Sequence, residues 1–251
     1  MTRNCRIITL SNQKGGVGKS TSVLNIAAGL CILKKKVLIV DIDPQFNLSS
    51  CLKLQDNPMN MWAIITKEVE PVPIEVVKGM DALPASIKLI SAEKDMDNEP
   101  GKDFILKEIL DVFRERYDFI IIDTNPSLGN LTTNALCCSD EVIIPLLSEP
   151  WSLEGLSTLT DLIAKVQRRV NPSLKIGGVL ITRYDSRKKM NRFIAERVQK
   201  MFGPLVFDTI IRDNVSVSES VISKHNIFSY APKSNGAVDY MEICKEIIKR
   251  K

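Results

Sequence analysis

Apolar residues along the chain gather into short continuous runs separated by stretches of helical spacing. Ile7-Ile8-Thr9-Leu10, Val37-Leu38-Ile39-Val40 and Phe119-Ile120-Ile121-Ile122 have almost no polar positions, as expected of strands covered on both faces. The pattern predicts strands over 6–10, 36–41, 88–90, 118–123, 141–146 and 176–182, with a further one near 206–211. Helical spacing predicts helices over 20–33, 103–116, 152–170, 191–201 and 238–249. Between Leu54 and Pro84, prolines at 58, 71, 73 and 84 interrupt both patterns and predict short helices and loops. Strands alternating with helices imply an α/β fold: one doubly wound, mostly parallel sheet with helices on both faces, residues 1–251 forming one domain.

The turn after the first predicted strand carries the strongest chemical signal. Lys14-Gly15-Gly16-Val17-Gly18-Lys19-Ser20-Thr21 lies between a strand and a helix, the context of a phosphate-binding loop in a P-loop NTPase. Backbone N–H groups and the helix N-terminus favour an anion there. Lys19 is placed to reach the β- and γ-phosphates, and the Ser20 hydroxyl to ligate Mg²⁺. The first glycine of the common G-x-x-x-x-G-K-[ST] form is Gln13 here, and a second lysine, Lys14, stands at the entrance. Gly15-Gly16 strips the turn of side chains so that another backbone can approach. A second cation beside a triphosphate points to charge stabilisation, including across a dimer interface.

Ligands of doubly wound sheets sit beyond the carboxyl ends of the strands, and two acidic clusters occupy such ends. An apolar strand ending in Asp123 has the form of a Walker B carboxylate that binds Mg²⁺. Asp43, in Asp41-Ile42-Asp43-Pro44-Gln45-Phe46-Asn47, offers an acceptor to orient an attacking water.

These segments together resemble the deviant Walker A ATPases of the ParA/MinD family, with Lys14 at the position of their signature lysine. Asp41 to Asn47 matches the family's D-x-D-P-Q-x-N. Pro126-Ser127-Leu128-Gly129, Leu153-Glu154-Gly155-Leu156 and Pro232-Lys233-Ser234-Asn235-Gly236-Ala237 extend the match over nearly the whole chain, and it is nearest to the short ParA/Soj-type partition ATPases. The resemblance implies ATP and Mg²⁺ as cofactors and an ATPase activity that is slow without a partner. It assigns Lys14, Lys19 and Asp43 to catalysis, and Ser20, Asp43 and Asp123 to the metal site. Residues 14–21 would hold the phosphates, with Asp213 and Asn214 as base-pocket candidates. It further implies an ATP-dependent homodimer, non-specific duplex DNA binding released by hydrolysis, and a ParB-type centromere-binding partner in plasmid or chromosome partition. Two departures stand out: Thr124-Asn125 where relatives have a small residue and proline, which predicts a looser loop, and Ile211-Arg212-Asp213-Asn214-Val215 in place of I-P-R-N-V.

Charge sharpens the choice of partner. The net charge is only +4, yet residues 165–200 hold eleven Lys/Arg against two acids. Arg187, Lys188, Lys189 and Arg192 form the densest stretch at a predicted helix start, where positive charge opposes the helix dipole. They are the DNA-backbone candidates, with Lys224 and Lys233 as extensions. The alternative is a MinD-like membrane-cycling ATPase, for which Tyr240, Met241, Ile243, Ile247 and Ile248 supply a helical apolar stripe among Lys245, Lys249, Arg250 and Lys251. That stripe reads more simply as core packing, and no C-terminal membrane-targeting extension or other membrane contact is expected.

At 44% hydrophobic and 25% charged residues, the composition is that of an ordinary globular protein, and no run of 18 apolar residues marks a membrane span. The first residues lead straight into the first strand, leaving no room for a signal peptide or an N-terminal helix-turn-helix, so a cytoplasmic, nucleoid-associated protein is expected. Six cysteines without C-x-x-C spacing read as reduced core residues. A single histidine, His225, sets aside Ser-His-Asp and Cys-His chemistry.

Overall fold

The computed structural model describes residues 5–96 and 99–250; the readings made on residues 1–4 and on Lys251 lie outside them. Among the described residues the order is β1 (Arg6–Leu10), α1 (Lys19–Ile32), β2 (Val37–Asp41), α2 (Asn47–Cys51), α3 (Met61–Ile65), β3 (Ile74–Val77), β4 (Met80–Leu83), α4 (Leu89–Asp95) and α5 (Ile105–Asp111). There follow β5 (Phe119–Asp123), α6 (Asn130–Cys138), β6 (Glu141–Leu147), α7 (Glu154–Arg169), β7 (Lys175–Thr182), α8 (Lys189–Phe202), α9 (Val215–Ile222), α10 (Ile227–Tyr230) and α11 (Asn235–Lys249).

The strands form one sheet in the order β3-β4-β2-β5-β1-β6-β7. Every pairing is parallel except β3 with β4. Alternate residues of each central strand enter opposite layers. Val37 and Ile39 join Ile8 and Leu10 under α1 and α11, while Leu38 and Val40 join Ile7 under α3 to α6. A third cluster packs α7 and α8 against β6 and β7. Burial on both faces explains why these strands are continuous apolar runs. Register then sets the site: Leu10 and Asp41 both pair with Asp123, so β1, β2 and β5 end level with one another.

Four expectations need correction. Residues 88–90 are the start of α4, not a strand: Leu89, Ala92 and Met96 are buried at helical spacing, and a short apolar run does not distinguish the two by itself. The strand position lies earlier, in the segment expected to hold only short helices and loops, where β3 and β4 form a hairpin closed by Lys78-Gly79 with Gly79 at φ 90°, a two-residue turn that favours glycine. Within residues 206–211 only Val206 makes a bridge, to Val179 of β7, and a second isolated bridge joins Arg212 to Tyr184. The Glu246 carboxylate accepts from the Asp208 and Thr209 N–H groups at 3.0 and 2.8 Å, drawing the backbone out of the ladder. The helix expected over 103–116 is also shorter, since residues beyond Asp111 wind into tight turns.

Of the apolar stripe of α11, Tyr240, Ile243 and Ile247 are core, Ile248 packs partly buried against it and Met241 is half-buried; Cys244 joins them beside α1. No helix among the described residues is long and apolar enough to cross a membrane. The two helices meet at Gly29, where a methyl group would stand 2.5 Å from Cys244 Sγ and 3.1 Å from Phe228 Cζ. Gly29→Val is expected to cost about 1–3 kcal/mol through overpacking. Thermal unfolding followed by circular dichroism should show a melting temperature lower by about 2–4 °C for each kcal/mol.

Candidate active site

The loop between β1 and α1 is braced from below and open above. The Asn12 side chain donates to the Pro145 carbonyl at 2.6 Å and accepts from the Lys14 N–H at 2.9 Å. Thr182 Oγ1, at the end of β7, donates to the Val17 carbonyl at 2.9 Å. Gly16 and Gly18 adopt φ 73° and 84°, a left-handed backbone that favours glycine. A Cβ at Gly15, Gly16 or Gly18 would meet no atom within 4 Å, so the rim is clear for phosphate or for a second chain. Helix α1 begins with no side-chain cap and no acidic residue in its first turn. Its first N–H groups are therefore left to an anion.

The two lysines of the loop occupy different settings. Lys19 is buried, donates to the Lys14 carbonyl at 3.3 Å, and has its pKa lowered because burial outweighs the attraction of Asp123 and Asp43. The Lys14 ammonium stands at the half-exposed entrance, 3.0 Å from Glu149 Oε2 just beyond β6. Glu149 has no signature in the sequence, because 135 positions separate the pair.

Beneath the loop lie three buried carboxylates. Asp41 is occupied: one oxygen accepts from the Ser49 hydroxyl and N–H at 2.6 and 2.8 Å, the other from the Asp43 N–H at 3.1 Å. Burial still pushes its carboxyl up to about 6. Asp43 accepts from the Gln45 N–H at 2.9 Å, and its carbonyl from the Phe46 N–H at 2.8 Å, which fixes the turn that carries it. Asp123 is different, for both its oxygens are buried without a hydrogen-bond partner. Burial first and the neighbouring Asp41 second raise its pKa well above the ordinary 3.8, while the nearby Ser20 hydroxyl pulls the other way. An unsatisfied buried carboxylate is costly. A hard divalent cation held by one carboxylate, the Ser20 hydroxyl, phosphate oxygens and water would satisfy it, so these residues fit Mg²⁺.

The remaining candidates divide by position. Asp213 and Asn214 line a cleft of about 340 Å³ that starts at Gly16, Gly18 and Thr21. Arg212 is turned onto Asp239 of α11, its Nε 3.1 and 3.0 Å from the two carboxylate oxygens. Thr124 and Asn125 do not form the looser loop expected. Thr124 donates to the Leu10 carbonyl at 3.0 Å, and Asn125 accepts from Thr132 at 3.1 Å.

Arg187, Lys188, Lys189 and Arg192 are all exposed at the start of α8. Arg187, 89% exposed, forks onto Asp185 with two contacts of 2.9 Å, an exchange that holds the Asp185 carboxyl down to about 2. The Asn191 side chain accepts from the Asp185 N–H at 2.9 Å and donates to the Ser148 carbonyl at 2.7 Å, tying this basic turn to the end of β6. Lys224 stands one residue past the C-cap of α9. The cysteines are free, as expected, and burial pushes the Cys31 and Cys244 thiols up to about 12.

The raised Asp123 pKa fixes the sign of a pH effect. A carboxyl whose folded pKa exceeds its unfolded value supports folding at low pH and loses that contribution as pH rises through the folded pKa. Without nucleotide and metal, Asp123→Asn should therefore melt above the wild type at pH 8, with the gap closing toward pH 4. Calorimetry at matched ionic strength checks this; equal melting temperatures at pH 8 would contradict the uncompensated charge.

The family described as an AAA domain matches residues 5–176. The Bacillus subtilis sporulation initiation inhibitor protein Soj is 40% identical, the alignment covering 96% of this chain and 98% of that protein. The Myxococcus xanthus chromosome partitioning protein ParA is also 40% identical, covering 98% and 88%. A plasmid partition protein from Borrelia burgdorferi bound to AMPPNP superposes with a TM-score of 0.81 at 30% identity, covering 98% of each chain. With the phosphate loop, the level strand ends and the buried Asp123 of that fold in place, the chain belongs to the ParA/Soj-type partition ATPases of the deviant Walker A family.

Proposed function

We propose that this chain is a Mg²⁺-dependent ATPase whose ATP-bound form dimerises face to face, binds duplex DNA without sequence preference and lets go after hydrolysis. The observation that carries this reading is Lys14, an ammonium at the entrance of the loop beside two glycines with open space above them. Within one subunit its partner is Glu149, 32% and 53% exposed respectively, and such a pair contributes little. The γ-phosphate of a nucleotide held by a second copy would be a stronger partner, so triphosphate selects the dimer by differential contact.

Within the site each residue has a distinct task. The N–H groups of residues 15–21 and Lys19 hold the β- and γ-phosphates. Ser20 and Asp123 would hold Mg²⁺, which when bound neutralises phosphate charge as the terminal bond breaks. Asp43, a further candidate for the metal, orients the attacking water from its fixed turn. Asp41, saturated by Ser49, keeps that turn in place. Loss of the γ-phosphate removes the partner of Lys14 and frees the two subunits. A ParB-type partner that stimulates a slow basal rate, and cargo segregation as the outcome, follow from family likeness.

Two outcomes test this reading. Lys14→Ala should bind ATP within about threefold of wild type yet form no ATP-dependent dimer in sedimentation velocity; a dimer peak that persists would refute the role in trans. Replacing Arg187, Lys188 and Lys189 with alanine should weaken ATP-dependent DNA binding and flatten its salt dependence. Each lost phosphate contact removes about 0.9 from the log–log slope. Arg187 is already paired, so two lysines in each subunit of a dimer predict a slope smaller by about 3–4 in gel shifts. An unchanged slope would place the interface elsewhere.

A further inference from the structure

On the face of the sheet away from α1 and α11, helices α3, α4 and α5 do not close fully against one another. They leave a groove of about 380 Å³, a volume in the range of binding sites. Its floor is apolar. Ile65, Ile105 and Ile109 are half-buried there, packed against the cluster that includes the buried Ile64 and Met96. Its rim is acidic, with Asp95, Glu99 and Glu108 at exposed positions against one lysine, Lys67. None of the three carboxylates has an ion-pair partner among the described residues. An open apolar recess bounded by polar groups is the mark of an interaction surface.

The groove is separate from the nucleotide site. Beneath Ile65, Met96 and Ile105 the packing tightens around Ile42 and Leu131, both buried, so an occupant stops short of the carboxylates. It is also remote from the basic turn. Helices α3 and α5 pack over β2, β4 and β5, whereas α8 packs over β6 and β7 at the other end of the sheet.

We propose that this groove docks a segment of a partner protein, an amphipathic helix that sets large apolar side chains on the floor and Lys or Arg side chains on the rim. A trough between helices is the shape into which such a segment lays its apolar face. Charge selects the sign of the partner. Cations beside the apolar anchors each meet an unpaired carboxylate, which steers the encounter and rejects acidic segments, and a polyanion such as DNA is repelled. Burial of the floor supplies the affinity. Filling the groove leaves α8 open, so the chain is able to hold a protein at one end of the sheet and DNA at the other. Only that bridge rests on the DNA-binding reading; the groove stands without it.

Fluorescence anisotropy on the full chain without nucleotide tests this. The labelled probes are synthetic peptides of about 14 residues: Leu at helical spacing with Lys between, the same Leu with Glu, and the same Lys with Ser in place of Leu. The Leu/Lys peptide should bind about tenfold or more tighter than either of the others. The double variant Asp95→Lys with Glu108→Lys should keep a wild-type circular dichroism spectrum, since both residues are exposed. It should weaken the Leu/Lys peptide by about tenfold and strengthen the Leu/Glu peptide by about as much. Replacing Arg187, Lys188 and Lys189 with alanine should leave Leu/Lys binding as in wild type. Equal binding of the Ser/Lys peptide, or Leu/Lys affinity unchanged by the charge reversal, would overturn the groove. Self-association in sedimentation velocity that the charge reversal abolishes would assign the groove to a second copy and overturn the partner. Because no nucleotide is present, failure here leaves the ATPase reading standing.

Discussion

The structure turns on negative charge that has been buried with a desolvated lysine opposing it. Strands β2 and β5 end level, so Asp41 and Asp123 face the same small volume, and both carboxyls are raised above their ordinary value. Ser49 relieves Asp41 with two hydrogen bonds, while neither oxygen of Asp123 has such a partner. Lys19 is close enough to attract but is itself desolvated, so the pair does not neutralise the site. A free chain thus carries an electrostatic cost that a divalent cation and a triphosphate are shaped to offset. The parallel sheet serves this arrangement: its register, set by apolar residues far from the chemistry, brings the carboxylates to one height.

Much of this was legible in the sequence because it is local. A glycine-rich run between an apolar strand and a largely buried helix identifies its own structure, and an aspartate at the end of a strand buried on both faces points to the ligand edge. What escaped was set by contacts remote in sequence. Nothing near Asp208 or Thr209 says that Glu246 will take their N–H groups and keep them from pairing as a strand. The hairpin of β3 and β4 hides between prolines whose usual meaning is a loop, and Ile87-Lys88-Leu89-Ile90 carries too few residues to show a period. In the site, Arg212 reads as a substitution in a nucleotide loop until its partner on α11, 27 positions away, is known. Thr124 and Asn125 likewise look like a loss of stiffness, yet each finds a buried hydrogen bond that proline would not make.

Two features give the loop its contrast of rigid floor and open roof. Asn12 and Thr182 clamp its carbonyls and N–H groups from the sheet side, whereas the outer surface at residues 15, 16 and 18 is bare. The floor leaves little freedom for bound phosphate to wander, which is the condition for orienting an attacking group by geometry. The bare roof leaves the outer side of the loop open, with the Lys14–Glu149 pair at its entrance.

Asn191 has a consequence for how such a protein can change over time. One amide binds the carbonyl of Ser148, next to the residue that holds Lys14, and the amide hydrogen of Asp185, at the threshold of the basic turn. Exposed side chains on α8 are therefore free to be exchanged without disturbing that link. The spacing between the two regions is not free, since an insertion on either side would strand a buried amide. Divergence at this edge of the molecule should proceed by recolouring residues in place, with insertions and deletions displaced to the loops beyond.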